Sequence, residues 1–90
     1  MIRIGIVDDH PAMIVGASTI LNLQPDMHVA AATPTVEALL DRTTDLDLVL
    51  LDLALADHTT PAQNLRLLDA RGIPVLAYTS GEQAGLVQQA

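Results

Sequence analysis

The chain has 90 residues, half of them apolar, and a formal net charge of −7. This length fits one small domain, and a chain with four arginines and no lysine lacks the clustered cations that bind nucleic acids or anionic membranes. The absence of cysteine excludes disulfides and thiol catalysis. Because no apolar stretch is long enough for a signal peptide or a membrane span, we expect a cytoplasmic protein.

The first half of the sequence predicts two strands and two helices in alternation. Residues 2–7 form a buried strand, and Pro11 suits the first position of a helix. The apolar residues of this helix recur at helical spacing: Met13, Ile14, Ala17, Ile20 and Leu21. Residues 29–32 predict a short second strand. Thr33-Pro34 is predicted to cap a second helix, whose apolar face is Val36, Leu39 and Leu40.

The second half continues the alternation. Residues 48–51 predict a third strand, and residues 60–63 match a capping box that begins a third helix. Gly72 ends that helix, residues 74–78 predict a fourth strand, and residues 81–90 predict the first turns of a fourth helix. Four strand–helix units with short connections predict an α/β fold, a three-layer sandwich with a parallel sheet between helices.

Acidic residues follow two of the predicted strands. Asp8 and Asp9 come directly after the first strand, and Asp52 ends the third. Right-handed crossovers bring the ends of these two strands side by side at one rim of the sheet. Three carboxylates there would repel one another unless they are protonated or neutralised by a cation. Mg²⁺ is the hard, oxygen-loving cation that suits such a site.

This pattern predicts a carboxylate that accepts a phosphoryl group with the help of a metal ion. Asp52 would be the nucleophile, Asp9 the more direct metal ligand, and Asp8 a ligand acting partly through water. The backbone carbonyl of Ala54 could complete the coordination, and the hydroxyl of Thr79 could hydrogen-bond the transferred group. In the alternative interpretation, Asp8 and Asp9 merely cap the first helix and Asp52 lies in a solvated loop.

The remaining polar residues carry weaker signals. His10 is expected to begin the first helix rather than to act as a ligand or base. His28 and His58 show no metal-ligand spacing and are expected at the surface. Asp57 is expected in the loop after the third strand, as a turn residue or a modest part of the acidic rim. Tyr78 is expected in the core, with a surface that partners contact as the alternative.

Three segments carry a resemblance to a known family. They are Asp8-Asp9-His10-Pro11, the run Leu-Val-Leu-Leu-Asp52-Leu, and the run Pro74-Val-Leu-Ala-Tyr-Thr79-Ser80. In this order they resemble the receiver domain of bacterial two-component response regulators. Asp-Asp-His-Pro is similar to the LuxR/NarL-type subgroup, whose members usually carry a helix-turn-helix DNA-binding domain downstream.

The resemblance implies a flavodoxin-like (CheY-like) sheet with strand order 2-1-3-4-5. It implies that Asp52 is the phosphoacceptor, Asp8 and Asp9 the acid pair, and Thr79 the switch hydroxyl. The implied partner is a sensor histidine kinase. The implied role is that of a signalling domain and not an enzyme, with at most self-phosphorylation and self-dephosphorylation.

The chain departs from the family in ways that affect its function. The family's fifth strand, which carries a lysine, and its fifth helix have no counterpart, so residues 1–90 are expected to be a receiver domain incomplete at its C-terminus. The loop after Asp52 also lacks the family's proline and glycine. Strand four would then be an exposed edge beside an apolar face, which predicts a homodimer.

Three other functions compete with this one. A degenerate receiver, acting as an interaction or dimerisation module without phosphorylation, is the main alternative, because the lysine is missing. A phosphatase with an aspartyl nucleophile would need a second acid where Ala54 stands. A dinucleotide-binding domain would need glycine in the loop after strand one, which reads Asp-Asp-His-Pro.

Overall fold

The computed structural model describes residues 1–43, 45–55 and 59–78. In chain order the elements are β1 (Ile2–Val7), α1 (Pro11–Asn22), β2 (Met27–Thr33), α2 (Val36–Arg42), β3 (Leu48–Asp52), α3 (Pro61–Asp69) and β4 (Val75–Tyr78). The four strands form one parallel sheet in the order β2-β1-β3-β4. The predicted α/β class and strand order are therefore confirmed. The predicted fourth helix, residues 81–90, lies outside the described residues.

The hydrophobic core lies between the sheet and helices α2 and α3. Side chains alternate along each strand, so every second residue of β1 and β3 points to this side. The core residues share near-complete burial: Val7, Ala31, Val36, Leu39, Val49, Leu51, Leu68 and Ile73. Gly5 lies against this layer, because a Cβ built there would stand 2.9 Å from Leu46 Cδ1. The same Cβ would stand 3.0 Å from Leu39 Cδ2 of α2, so a side chain at this position would force both leucines to shift.

Helix α1 packs mainly along β2, the strand at one edge of the sheet. Ile14 and Leu21 are half-buried, as the spacing predicts, but Met13 and Ile20 are 42% and 63% exposed. The predicted apolar face is therefore wider than the buried one. A helix lying over an edge strand meets the sheet along a single narrow stripe, which explains the difference.

The start of α2 differs from the sequence prediction. Thr33 is the last residue of β2 and is buried, and the N-cap is Thr35, whose hydroxyl accepts the Ala38 amide at 3.1 Å. Thr33 pairs with Val7 in the sheet, and its hydroxyl donates to the Thr35 carbonyl at 2.7 Å, so Thr33 completes the strand and Thr35 is the cap. The start of α3 agrees with the prediction, because Thr60 and Gln63 form a reciprocal capping box.

The outer strand β4 pairs only with β3 among the described residues. Leu76, in the middle of β4, is 59% exposed. β4 is therefore the outer strand of the sheet within residues 1–43, 45–55 and 59–78, and the apolar face predicted beside it stays a prediction. None of the helices in these residues could span a membrane.

Candidate functional site

The carboxylates of Asp8, Asp9 and Asp52 meet at the rim where β1 and β3 end. One ligand atom from each, together with a ring nitrogen of His10, lie within 4.8 Å of one another. The register of β1 on β3 explains this meeting, because Val7 pairs with Leu51 and the next residue of each strand is an aspartate. The structure thus brings together three of the predicted site residues and adds His10.

Asp8 is fully buried, and each of its carboxylate oxygens accepts hydrogen bonds. Tyr78 donates its hydroxyl to Oδ2 at 2.5 Å, and the backbone amide of His10 donates to Oδ1 at 2.8 Å. Burial raises the pKa of Asp8, but the hydrogen bonds from Tyr78 and His10 outweigh it, so the net pKa is lowered. Asp8 is therefore held as a carboxylate.

Asp52 is also fully buried, but only one of its carboxylate oxygens accepts a hydrogen bond from the described residues. Its Oδ1 accepts the backbone amide of Ala54 at 2.9 Å. Its Oδ2 accepts no hydrogen bond from the residues that the structure describes. Burial, opposed by the Ala54 hydrogen bond and reinforced by the charge of Asp8, raises the pKa of Asp52. The unsatisfied Oδ2 is the atom of the site that most needs a cationic or electrophilic partner.

His10 is the N-cap residue of α1, as expected, but its ring lies over the acidic cluster. Nδ1 lies 2.8 Å from Asp8 Oδ1, 3.0 Å from Asp9 Oδ1 and 3.5 Å from Asp52 Oδ2. The hydrogen bond to Asp8 raises the pKa of His10, although the ring is half exposed. The contact differs from the sequence prediction, in which His10 only begins the helix.

Tyr78 is the second site residue that the sequence analysis missed. It is half-buried, as a core residue could be, and pairs with Asp52 across β3 and β4. Its hydroxyl nevertheless reaches Asp8, and burial together with that hydrogen bond raises the pKa of Tyr78 above its usual value. A tyrosine at the end of a strand could have indicated this contact, because a buried tyrosine hydroxyl usually has a hydrogen-bond partner.

The other predicted residues lie elsewhere or cannot be placed. Ala54 follows Asp52 by two residues and makes the amide contact above, while the coordination predicted for its carbonyl stays a prediction. His28 is exposed on β2, as expected. Thr79, Asp57 and His58 lie outside the described residues.

A second buried polar residue lies away from the carboxylates. Asn64 of α3 is 3% exposed, donates its amide to Thr59 Oγ1 at 2.9 Å and has an unsatisfied Oδ1. It lines a cavity of about 480 Å³ between α2 and α3, together with Val36 and Leu67. None of the clustered acids lines this cavity, so Asn64 is separate from the site at the strand rim.

Solved structures of receiver domains are similar to nearly the whole chain. The response regulator ChrA of a heme-sensing two-component system is 29% identical with a TM-score of 0.74, covering 96% of this chain and 43% of ChrA. The receiver domain of NarL from Mycobacterium tuberculosis is 24% identical with a TM-score of 0.75, covering 98% and 73%. The isolated REC domain of RcsB from Salmonella enterica serovar Typhimurium is 15% identical with a TM-score of 0.78, covering 97% and 67%.

The matches differ in how much of each protein they include. The chain spans 43% of ChrA and 42% of RcsB bound to a promoter, so it is less than half as long as these two regulators. No protein-family model matches the sequence, and no curated protein matches it. The similarity therefore lies in the arrangement of the strands and helices and, for ChrA, in more than a quarter of the residues.

Proposed function

Because the chain has the fold of a response-regulator receiver domain, we propose that it binds Mg²⁺ and accepts a phosphoryl group on Asp52. One observation carries the proposal. Asp52 Oδ2 is buried among carboxylates without a hydrogen bond from the described residues, while Oδ1 is occupied by the Ala54 amide. A buried anion with one unsatisfied oxygen fits a site that a cation completes and in which that oxygen attacks an electrophile.

The residues present fit a hard divalent cation. Asp8, Asp9 and Asp52 supply carboxylate oxygens within 4.8 Å of one another, and the Ala54 carbonyl is close in sequence. When bound, Mg²⁺ would neutralise the oxygens of the incoming phosphoryl group. Asp52 Oδ2 would form the new bond to phosphorus as the bond from phosphorus to the donor breaks. Asp8 is held as a carboxylate by the hydrogen bonds from Tyr78 and His10.

The proposed donor is the phosphohistidine of a sensor histidine kinase, and the proposed output is regulation of transcription through a DNA-binding domain outside this segment. RcsB, one of the similar proteins, has been solved bound to promoters in the presence of a phosphomimetic. This chain has no lysine that could pair with a phosphoryl group on Asp52. We therefore expect phosphorylation to occur but to be transmitted less strongly than in receivers that carry the lysine.

The test is the intact mass of the protein after incubation with Mg²⁺ and acetyl phosphate. Wild type should gain one phosphoryl group and Asp52→Asn none. Asp41→Asn, which changes an exposed aspartate of α2, is the matched control and should behave as wild type. An unmodified wild type, or a phosphoryl group on Asp52→Asn, would contradict the proposal.

The missing lysine favours a second candidate, a receiver that acts as an interaction module without phosphorylation. Asp52→Ala separates the two, because an interaction module would keep its partner binding unchanged.

For either function we propose a homodimer formed through β4, since Leu76 is exposed on this outer strand. Light scattering at micromolar concentration should show a dimer for wild type and for Leu23→Arg on the opposite edge, and a monomer for Leu76→Arg. A monomeric wild type would contradict the dimer.

A further inference from the structure

The backbone beside Asp8 determines where His10 lies. Its amide donates to Asp8 Oδ1 at 2.8 Å, and its backbone is extended, with φ −104° and ψ 106°. Pro11, with its fixed φ, begins α1 immediately afterwards. These constraints place the ring at the rim where β1 ends, with Nδ1 as its inward atom.

The distances around Nδ1 match those between ligands of a single ion. Metal–ligand bonds of about 2.1 Å place neighbouring ligands of an octahedron about 3 Å apart. Nδ1 lies 2.8, 3.0 and 3.5 Å from one oxygen each of Asp8, Asp9 and Asp52. Nδ1 is therefore spaced from two of these oxygens as neighbouring ligands would be, and all four atoms lie within 4.8 Å of one another.

A second observation at the same place points to a ligand. Asp52 Oδ2, fully buried, faces this cluster and accepts no hydrogen bond from the described part of the chain. The His10 nitrogen, at 3.5 Å, is beyond the usual length of a hydrogen bond to that oxygen. An ion bound between the four groups would satisfy Oδ2 and would separate the carboxylates from one another.

We propose that His10 Nδ1 is a direct metal ligand, so that this site takes a first-row transition ion such as Mn²⁺ through three carboxylates and one imidazole. The inference rests on the proposed function, because it concerns the same cluster, but it changes the donor set. Carboxylates and water suit Mg²⁺, whereas an imidazole nitrogen favours transition ions over Mg²⁺. As a ligand, His10 would be the neutral ring with its proton on Nε2.

Mn²⁺ is the probe, because its unpaired electrons reveal a directly bonded nitrogen. Electron spin-echo modulation of the Mn²⁺-loaded protein should show the ¹⁴N signal of imidazole in wild type and in His28→Ala, whose histidine is exposed on β2. The signal should disappear in His10→Ala and in His10→Gln. Calorimetry should show Mn²⁺ binding about tenfold weaker or more in both His10 variants, with Mg²⁺ binding changed far less. Thermal unfolding checks that each variant is folded.

Each outcome bears on the inference. Loss of the ¹⁴N signal and of Mn²⁺ affinity in the His10 variants alone supports it. A wild type that binds Mn²⁺ without a nitrogen signal, or His10 variants that bind Mn²⁺ more tightly, would overturn it, because the ring would then be a competitor that the ion displaces. If wild type is phosphorylated in the presence of Mg²⁺, the proposed function stands, whether or not His10 binds the ion. A wild type that binds neither ion would overturn both.

Discussion

The hydrogen bond between Tyr78 and Asp8 connects the outermost strand to the acidic cluster, and Tyr78→Phe removes it with the least change in shape. Tyr78 lies at the end of β4, and the bond to Asp8 Oδ2 measures 2.5 Å. The pairing of β3 with β4 keeps Tyr78 in place without this bond. The variant therefore keeps the ring and its packing but leaves one oxygen of a fully buried carboxylate unpaired.

The expected cost follows from the burial and charge of the acceptor. A hydrogen bond to a charged group contributes about 1.5–3 kcal/mol, and leaving a buried acceptor unpaired has a cost of similar size. We expect Tyr78→Phe to lower the free energy of unfolding by about 2 kcal/mol at neutral pH. In a domain of this size, that corresponds to a fall in Tm of roughly 10 °C.

The pH dependence has a definite sign. Burial works against the ionised form of Asp8, but the bonds from Tyr78 and His10 lower its pKa below the ordinary 3.8. The stability from this lowering is present above the pKa of the unfolded chain and is lost as the pH falls through the folded value. The difference between wild type and Tyr78→Phe should therefore be largest at neutral pH and shrink below about pH 4.

Urea unfolding followed by circular dichroism measures these differences, and a double-mutant cycle with Asp8→Ala isolates the bond. The cycle should return a coupling energy of about 2 kcal/mol between the two side chains. A coupling energy near zero, or a Tyr78→Phe variant as stable as wild type at neutral pH, would refute the reasoning. A difference that grows as the pH falls would refute the assigned charge state of Asp8.

Three further changes test other parts of the structure. Asp52→Asn should raise the Tm of the metal-free protein by several degrees at neutral pH, because burial and the charge of Asp8 raise the pKa of Asp52, so the fold disfavours its ionised form. In the same melting experiment, added Mg²⁺ should stabilise wild type but not the variant. Gly5→Ala should cost about 1 kcal/mol in urea unfolding, since its Cβ would stand 2.9 Å from Leu46 Cδ1; unchanged stability would show that the leucine moves freely. Thr60→Ala removes the capping box with Gln63 and should cost about 1 kcal/mol, whereas a Tm equal to that of wild type would mean that α3 does not depend on its cap.

The sequence predicted the meeting of the three aspartates because that meeting depends only on topology. Parallel strands with right-handed crossovers end at the same rim, so residues that follow β1 and β3 become neighbours whatever the details. The contact of Tyr78 with Asp8 depends on the register of β4 against β3, which places Tyr78 beside Asp52. A shift of one residue would turn the tyrosine to the other face, and the sequence does not determine that register.

The contact of His10 with the acids was missed for a different reason. Its place at the start of α1 follows from Pro11, which the sequence contains. The direction of its ring follows from side-chain torsions that respond to the surrounding carboxylates, and those become neighbours only in the folded chain. The cap was placed at Thr33 because either threonine beside Pro34 can cap a helix. The pairing of Thr33 with Val7, which makes Thr33 a strand residue, arises only in the folded chain.

Tyr78 is the one aromatic residue of the chain, which contains neither tryptophan nor phenylalanine. Its ultraviolet absorption and fluorescence therefore come from a single ring whose hydroxyl is bonded to the acidic cluster. Such a bond to a carboxylate alters tyrosine emission, so an ion or a phosphoryl group arriving beside Asp8 should change the light emitted by the whole protein. The chain carries its own optical reporter, and events at the cluster can be followed without a label.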